Sequence, residues 1–228
     1  GQRIAVDTVY MLTYPYAPLT GQLQFSAVGN GLFENPRYQV RGRIDDLYVF
    51  DEGIGLVRGG FSVRDEQLNI DQFEVASPRL AASGNGRIAL TDEYDADIIL
   101  RFSDTSLDPY VRAVQPALSP FTTAVASGTL RILGELNTPE QLRADVVVDE
   151  LALQLFDYAI HNDGPVRVTY DQQTLNVDQF RLVGDGTQIE LAGEIDVGED
   201  RIALRGLGDA NLGILQGLLR DIRSSGAA

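Results

Sequence analysis

Residues 175–180 read LNVDQF and residues 68–73 read LNIDQF, so one short motif occurs twice at an offset of 175 − 68 = 107 residues. The same offset pairs residues 127–130 (SGTL) with residues 20–23 (TGQL). Familiar solenoid repeats are shorter, with periods of about 20–50 residues. The chain is therefore predicted to be a tandem of larger units, each about as long as the offset.

The tandem defines a domain organisation. A Ser-Gly pair at residues 225–226 stands where Thr-Gly and Ser-Gly precede the two copies, which predicts that a further unit begins there. With no Met at position 1 and no charged-then-apolar leader, we expect a piece of a longer protein. We predict one continuous structural domain made of the tail of a preceding unit (1–20), two β repeat units (21–127 and 128–225) and the start of another (226–228).

Apolar residues alternate with polar residues over most of the chain, as in Leu23 and Phe25 or from Ile189 to Val197. A period of two is typical of strands with one apolar face. The alternation slips by one residue at four places, which predicts β-bulges or bends that keep the apolar side chains on one face. The slips lie at residues 45–46, 71–72, 149–150 and 178–179.

Turns and helices complete the predicted fold. Asn85-Gly86 and Asp185-Gly186 are dipeptides typical of tight hairpins and favour antiparallel neighbours. Apolar residues at helical spacing predict short helices at 107–118 and 212–222, one at the end of each unit. The fold class is all-β: an elongated, curved, antiparallel-rich sheet built from tandem units, with short helices at their ends.

Charge and hydropathy exclude several function classes. The formal net charge is −15, because 33 acidic residues face 18 basic ones, all of them Arg. Such a surface repels phosphate backbones, so we expect no nucleic-acid partner. No apolar run approaches the roughly 18–20 residues that span a bilayer, so no transmembrane segment is predicted here. The absence of Cys fits the cytosol and the periplasm equally well.

Residues suited to catalysis are few. His161 is the only histidine and has no nucleophile near it in sequence, so an ordinary loop or strand-end position is favoured over a catalytic one. The paired acids at 45–46 and 149–150 fit solvent-facing bulges better than a metal or acid–base site. No phosphate-binding loop, EF-hand or His-containing metal motif occurs. We therefore expect no enzymatic activity, no catalytic residues, no metal and no cofactor.

The most conspicuous feature is the apolar strand face. It has two interpretations, a closed β-sandwich core or an open hydrophobic groove, and periodicity does not separate them. The candidate groove residues are Leu68, Ile70, Phe73, Val75, Ile88, Leu90, Val146, Val148, Leu151, Leu153, Leu155, Val168, Tyr170, Leu175, Val177, Phe180, Leu182, Ile189, Leu191, Ile195, Val197, Ile202 and Leu204.

The chain resembles the TamB family and the wider AsmA-like group of bacterial envelope proteins. The resemblance covers nearly the whole chain and rests on a degenerate pattern. Its elements are the openings at 20–23 and 127–130, each followed by Gly and Pro (Gly29 and Pro36, Gly134 and Pro139), then the runs 148–155 and 175–180, the segment 184–193 (GDGTQIELAG) and the apolar segment 212–219.

The resemblance implies a taco-shaped β structure whose concave face is a continuous hydrophobic groove. It also implies a periplasmic protein anchored in the inner membrane, linked to phospholipid transport between the inner and outer membranes and to outer-membrane protein assembly. The family offers no catalytic residues to carry over. The predicted partners are phospholipid acyl chains and an outer-membrane barrel protein.

The predicted function is a non-enzymatic hydrophobic groove that carries phospholipid. The alternative is a scaffold for outer-membrane protein assembly by β-augmentation. A sugar-binding β-sandwich ranks last, since the chain has no Trp and only 8% aromatic residues. Arg37, Arg41, Arg43 and Arg58 are interspersed with acids, so no phosphate clamp is predicted and lipid binding without headgroup selectivity is expected.

Overall fold

A computed structural model describes residues 4–5, 19–32, 35–49, 52–108, 122–155 and 157–214. These residues form fourteen β-strands and two short 3-10 helices. Every strand pairing with an assigned register is antiparallel. The prediction of an all-β, antiparallel fold is confirmed.

The chain divides into two compact units. Unit 1 comprises Gly1–Phe102 and Ile132–Pro139, and unit 2 comprises Ser103–Arg131 and Glu140–Ala228. In unit 1 each strand lies beside the next one along the chain, as in a β-meander. The strands are β1 (Ile4–Ala5), β2 (Leu19–Leu32), β3 (Asn35–Val49), β4 (Glu52–Arg64), β5 (Gln67–Ala76), β6 (Ala81–Ala89) and β7 (Asp95–Ser106), the last residues of β7 belonging to unit 2.

Unit 2 has a less regular order. The strands are β8 (Thr122–Glu135), whose last residues belong to unit 1, β9 (Arg143–Leu155), β10 (Tyr158–Asn162), β11 (Val166–Asp171), β12 (Thr174–Gly184), β13 (Thr187–Asp196) and β14 (Arg201–Asp209). The 3-10 helices are Pro139–Gln141 and Leu212–Ile214. Strands β10 and β11 both pair with β9 and with β12. The two short strands therefore occupy the same position in the sheet, between β9 and β12.

Three of the four phase slips are register irregularities, as predicted. The pairing shifts between Ile70 and Phe73 in β5 and between Val177 and Phe180 in β12. A third shift falls between Ile44 and Leu47 in β3, where Asp46 has a positive φ of 51°. In each case an extra residue lets the apolar side chains continue on the same face.

The fourth slip, in β9, has a different cause. Residues up to Val148 pair with β11 and residues from Ala152 pair with β10, so β9 changes partner at Asp149 and Glu150. The side-chain amide of Asn162 lies at this point. Its Oδ1 accepts from the Leu151 N–H at 2.7 Å, and its Nδ2 donates to the Asp149 carbonyl at 3.0 Å. Asn162 thus supplies hydrogen bonds where the strand ladder is interrupted.

Of the two predicted hairpin dipeptides, one is confirmed and one is wrong. Asp185-Gly186 joins β12 to β13, and both residues have positive φ. Asn85-Gly86 instead lies inside β6. A Cβ on Gly86 would approach the Asp97 carbonyl oxygen to 2.7 Å, so this glycine permits close packing on β7 rather than a turn.

The helix predictions lie largely outside the described residues. Of 107–118 only Leu107 and Asp108 are described, and of 212–222 only Leu212–Ile214, which is a 3-10 turn. None of the helical segments that the structure describes has the length and hydropathy needed to cross a bilayer.

Replacing Asn162 with Ala should destabilise unit 2. The Leu151 N–H and the Asp149 carbonyl would lose their partner, and an unsatisfied, partly buried polar group costs about 1–3 kcal/mol. Urea unfolding followed by circular dichroism measures the loss. Gln188→Ala, on an exposed position of β13, is the matched control, and equal midpoints for the two variants would contradict this role of Asn162.

Candidate functional site

The apolar side chains of unit 2 form rows across the strands, because residues paired directly across an antiparallel sheet point to the same face. Each row runs from β11 or β12 towards β14; glycines end two of the rows and interrupt a third. The rows are Tyr170–Leu175–Ile195–Ile202, Val168–Val177–Gly193–Leu204, Phe180–Leu191–Gly206 and Leu182–Ile189–Gly208. Val146 and Val148 of β9 extend this face through β11, and Leu153 lies opposite Ile160 of β10.

Unit 1 has an equivalent face. Its rows run across β2 to β6 and include residues from every one of these strands. They are Gly29–Tyr38–Val63–Leu68–Ile88, Ala27–Val40–Phe61–Ile70–Gly86, Phe25–Gly42–Gly59–Phe73–Gly84 and Leu23–Ile44–Val57–Val75–Ala82. We call these two sets of rows the apolar face of unit 1 and the apolar face of unit 2.

Most side chains of both apolar faces keep contact with solvent. Among the predicted groove residues, Val75, Leu151, Leu155 and Leu182 are buried, while Leu90, Val197, Ile202 and Leu204 are exposed and the others are half-buried. Exposure is greatest near β14, where Ile202 is 70% exposed. No large side chain in the described part of the chain is fully buried. A closed sandwich, in which two inner faces bury each other, would give the opposite distribution.

The structure places most predicted residues in these rows and adds others. Leu90 and Val197 lie just beyond the ends of β6 and β13 rather than within strands. The sequence list missed Leu23, Phe25, Val40, Phe61 and the other apolar residues of β2 to β4. Alternation around Leu23 and Phe25 was a usable signal, whereas the glycines around Phe61 hid the pattern in β4.

Glycines make the floor of the unit 1 face uneven. A Cβ on Gly59 would meet the Phe61 ring at 2.7 Å, so that ring covers its neighbour. A Cβ on Gly42 would meet nothing within 4 Å, so Gly42 leaves an open notch beside Phe25. The unit 1 face is therefore uneven rather than flat.

The opposite face of unit 2 carries ion pairs. The Arg143 guanidinium binds Asp145 at 3.0 Å, and the Thr169 hydroxyl donates to the same carboxylate at 3.2 Å. Arg181 lies between Glu190 at 3.1 Å and Asp163 at 3.5 Å. The hydrogen bond from Arg143, helped by the one from Thr169, holds the pKa of Asp145 below its usual value.

The other predicted candidates are not members of the apolar rows. His161 is exposed and lines a hollow of about 300 Å³ with Asp104, Asp149, Glu150 and the backbone near Ser127. No group of three or more His, Asp or Glu in the described ranges is arranged to hold a metal ion. The Asp45 carboxylate forms an ion pair with the Arg43 guanidinium at 2.6 Å on the same strand.

Comparisons of the chain with protein-family models, with curated proteins and with solved structures find no match. The resemblance to TamB and AsmA-like proteins therefore stays a prediction from the sequence pattern.

The ion pair of Asp145 should make stability depend on pH in a defined direction. Because the folded pKa of Asp145 is lowered, its contribution is present above the unfolded pKa of about 3.9 and is lost as the pH falls through the folded value. Asp145→Asn should therefore lower the melting temperature at pH 7 and make no difference at pH 2. Glu194→Gln, on the same polar face, is the control. A difference between Asp145→Asn and the unsubstituted chain that persists at pH 2 would contradict the assignment.

Proposed function

We propose that this chain is a non-enzymatic segment that holds phospholipid acyl chains on its apolar faces, as part of a periplasmic protein that carries lipid between the inner and outer membranes. The observation that carries the proposal is the half-exposure of the apolar rows in each unit. A large contiguous patch of exposed apolar side chains usually marks a site that binds a ligand, a membrane or another protein. The position in the periplasm and the anchoring of the parent protein follow from the family resemblance alone.

The chemistry of an apolar face suits an acyl chain. Burial of each CH₂ group contributes roughly 0.8 kcal/mol, so a chain of ordinary length is retained without any polar contact. The attraction has no preferred direction, which lets the chain slide along a row. Branched and aromatic side chains line both faces, and none of the residues in the rows carries a charge.

Leu191→Arg tests the acyl-chain site. Leu191 is half-buried in the middle of β13, between Phe180 and Gly206 in its row. On an open face the Arg stem can lie along the apolar surface while the guanidinium reaches water. We therefore expect a melting temperature within a few degrees of the unsubstituted chain and several-fold weaker uptake of a fluorescent phospholipid by delipidated protein.

The matched control for this variant is Glu194→Arg. Glu194 lies on the same strand but on the polar face and makes no ion pair with a described residue, whereas Glu190 binds Arg181. If Leu191→Arg unfolds the chain while Glu194→Arg folds, the apolar face is a closed core, since an unpaired buried charge costs several kcal/mol. If delipidated, unsubstituted chain takes up no lipid at all, the proposed function is wrong.

A second candidate function is a scaffold for outer-membrane β-strands. Strand β14 favours it, because all nine of its residues are exposed and its only described partner is β13. An edge of this kind can accept an extended segment by backbone hydrogen bonding. Strand β14 also carries Arg201 and Arg205. Charged side chains on an edge strand discourage non-specific pairing with other chains.

Native mass spectrometry should separate the two functions. A lipid carrier is expected to retain phospholipid masses that disappear after delipidation and return on addition of vesicles. A scaffold is expected to bind a synthetic peptide with the sequence of an outer-membrane barrel strand, and Leu204→Pro, which removes a backbone donor in β14, should abolish that binding. Peptide binding without any lipid retention would favour the scaffold over the carrier.

A further inference from the structure

Three arginines meet on the polar face of unit 1. Arg41 and Arg43 lie on β3, and Arg58 lies directly opposite Arg43 on β4. Together with Gly60, Gln72 and Glu74 they line a hollow of about 370 Å³, which we call the arginine hollow. Sequence spacing predicts separate, solvated side chains, but the cross-strand register gathers them around one space.

The three arginines outnumber the two carboxylates beside them, which are Asp45 next to Arg43 and Glu74 directly opposite Arg58 on β5. Like charges directly opposite each other in an antiparallel pair are destabilising. Arg43 faces Arg58 across the β3–β4 pairing, and Arg41 is the next residue on the same face of β3. A negative ligand between these guanidinium groups would remove the repulsion.

The nearby carboxylates do not supply that counter-charge to all three. Asp45 binds Arg43 at 2.6 Å and also accepts from Gln24 at 3.3 Å. Glu74 lies directly opposite Arg58 and accepts from Gln72 at 2.5 Å, but it is not within ion-pair distance of Arg58. Neither Arg41 nor Arg58 makes an ion pair with any residue that the structure describes.

Three arginines of unit 2 are neutralised by acidic neighbours, whereas Arg167 and Arg205 make no ion pair with a described residue. Arg143 binds Asp145 and Asp171, Arg181 binds Asp163 and Glu190, and Arg201 binds Asp196 and Glu199. In a chain with a net charge of −15, acidic partners are abundant. What distinguishes Arg41 and Arg58 from single unpaired arginines such as Arg205 is that they line one hollow together with Arg43.

The shape of the hollow leaves room for a ligand. A Cβ on Gly60 would meet nothing within 4 Å, and Gly60 lies directly opposite both Arg41 and Gln72. A larger residue there would fill the space between the two side chains. The glycine thus forms the open floor of the arginine hollow.

We propose that the arginine hollow binds the phosphate group of an anionic ligand. Guanidinium groups bind phosphate oxygens through paired, charge-assisted hydrogen bonds, and a tetrahedral phosphate presents oxygens to several of them at once. A carboxylate would satisfy fewer of these donors. The arginines alternate with the apolar rows along β3 and β4, so their side chains lie on the face opposite the proposed acyl-chain site, and Gly42 and Gly59 of one row also line the hollow.

Inorganic phosphate is the first probe, measured against sodium chloride at equal ionic strength. Phosphate should raise the melting temperature and shift the amide NMR signal of Gly60. Arg41→Gln and Arg58→Gln should each weaken phosphate binding roughly tenfold, since a hydrogen bond to a charged group is of that order. Glu74→Gln should strengthen binding, because it removes a negative charge from the rim.

Arg205→Gln is the control, because it removes one exposed arginine from the polar face of β14 and should leave phosphate binding unchanged. Without phosphate, Arg58→Gln should change the melting temperature by only a few degrees, because it removes both the repulsion from Arg43 and the attraction to Glu74. Equal phosphate effects on the double variant Arg41→Gln/Arg58→Gln and on the unsubstituted chain would overturn the proposal. So would the absence of any effect beyond that of chloride.

Vesicles distinguish a lipid headgroup from a free phosphate compound. Binding to phosphatidylcholine vesicles that increases with added phosphatidylglycerol, and that the double variant loses, assigns a headgroup. Phosphate binding without this dependence assigns a soluble phosphate compound. Leu191→Arg should leave phosphate binding intact, so failure of the acyl-chain site and failure of the arginine hollow are separable results.

Discussion

The structure depends on keeping an alternating chain in phase. In a strand, a one-residue slip in the apolar–polar alternation would move every later apolar side chain to the other face. A bulge at the position of the slip is needed to keep these side chains on one face. The bulges near Asp71 in β5 and Asp178 in β12 make this correction. Without them Phe73 and Phe180 would point to the polar face, and both apolar faces would be interrupted in the middle of a strand.

Glycines complement the bulges on the apolar faces. Gly193 and Gly208 have positive φ, and a Cβ on either would come within 2.2 Å of a backbone oxygen in the neighbouring strand. These two residues let strands approach closely where a larger residue could not fit. Gly42 has the different effect of leaving open space between apolar side chains. Rows that end or break at glycine are therefore uneven surfaces rather than flat ones.

The strands and their bulges could be predicted from the sequence, because the apolar–polar alternation and its slips involve only consecutive residues. The sequence predicts less where the outcome depends on a distant strand. Strand β9 changes partner at Asp149 because β10 and β11 pair with different parts of it. The residues around Asp149 do not reveal this pairing. Gly86 looks like a turn residue until β7 is placed against it.

The dependence on distant strands also limited what could be predicted of the candidate sites. Alternation identified most residues of the apolar faces but not their degree of exposure, which depends on what covers the sheet. The turn residues Asp65 and Glu66 both adopt positive φ without the expected Gly or Asn, so that hairpin and its register were not predicted. Since register decides which side chains are cross-strand neighbours, the meeting of Arg43 with Arg58 also required the structure.

The net charge bears on what can cover the exposed apolar faces. An uncovered face that includes Ile202 and Leu204 would normally favour association of copies, because apolar burial is non-directional. The net charge of −15 opposes that association, since two copies repel each other before their faces meet. A single zwitterionic or uncharged lipid meets no such barrier. If the apolar faces bind lipid as proposed, this repulsion favours a small ligand over a second copy of the chain.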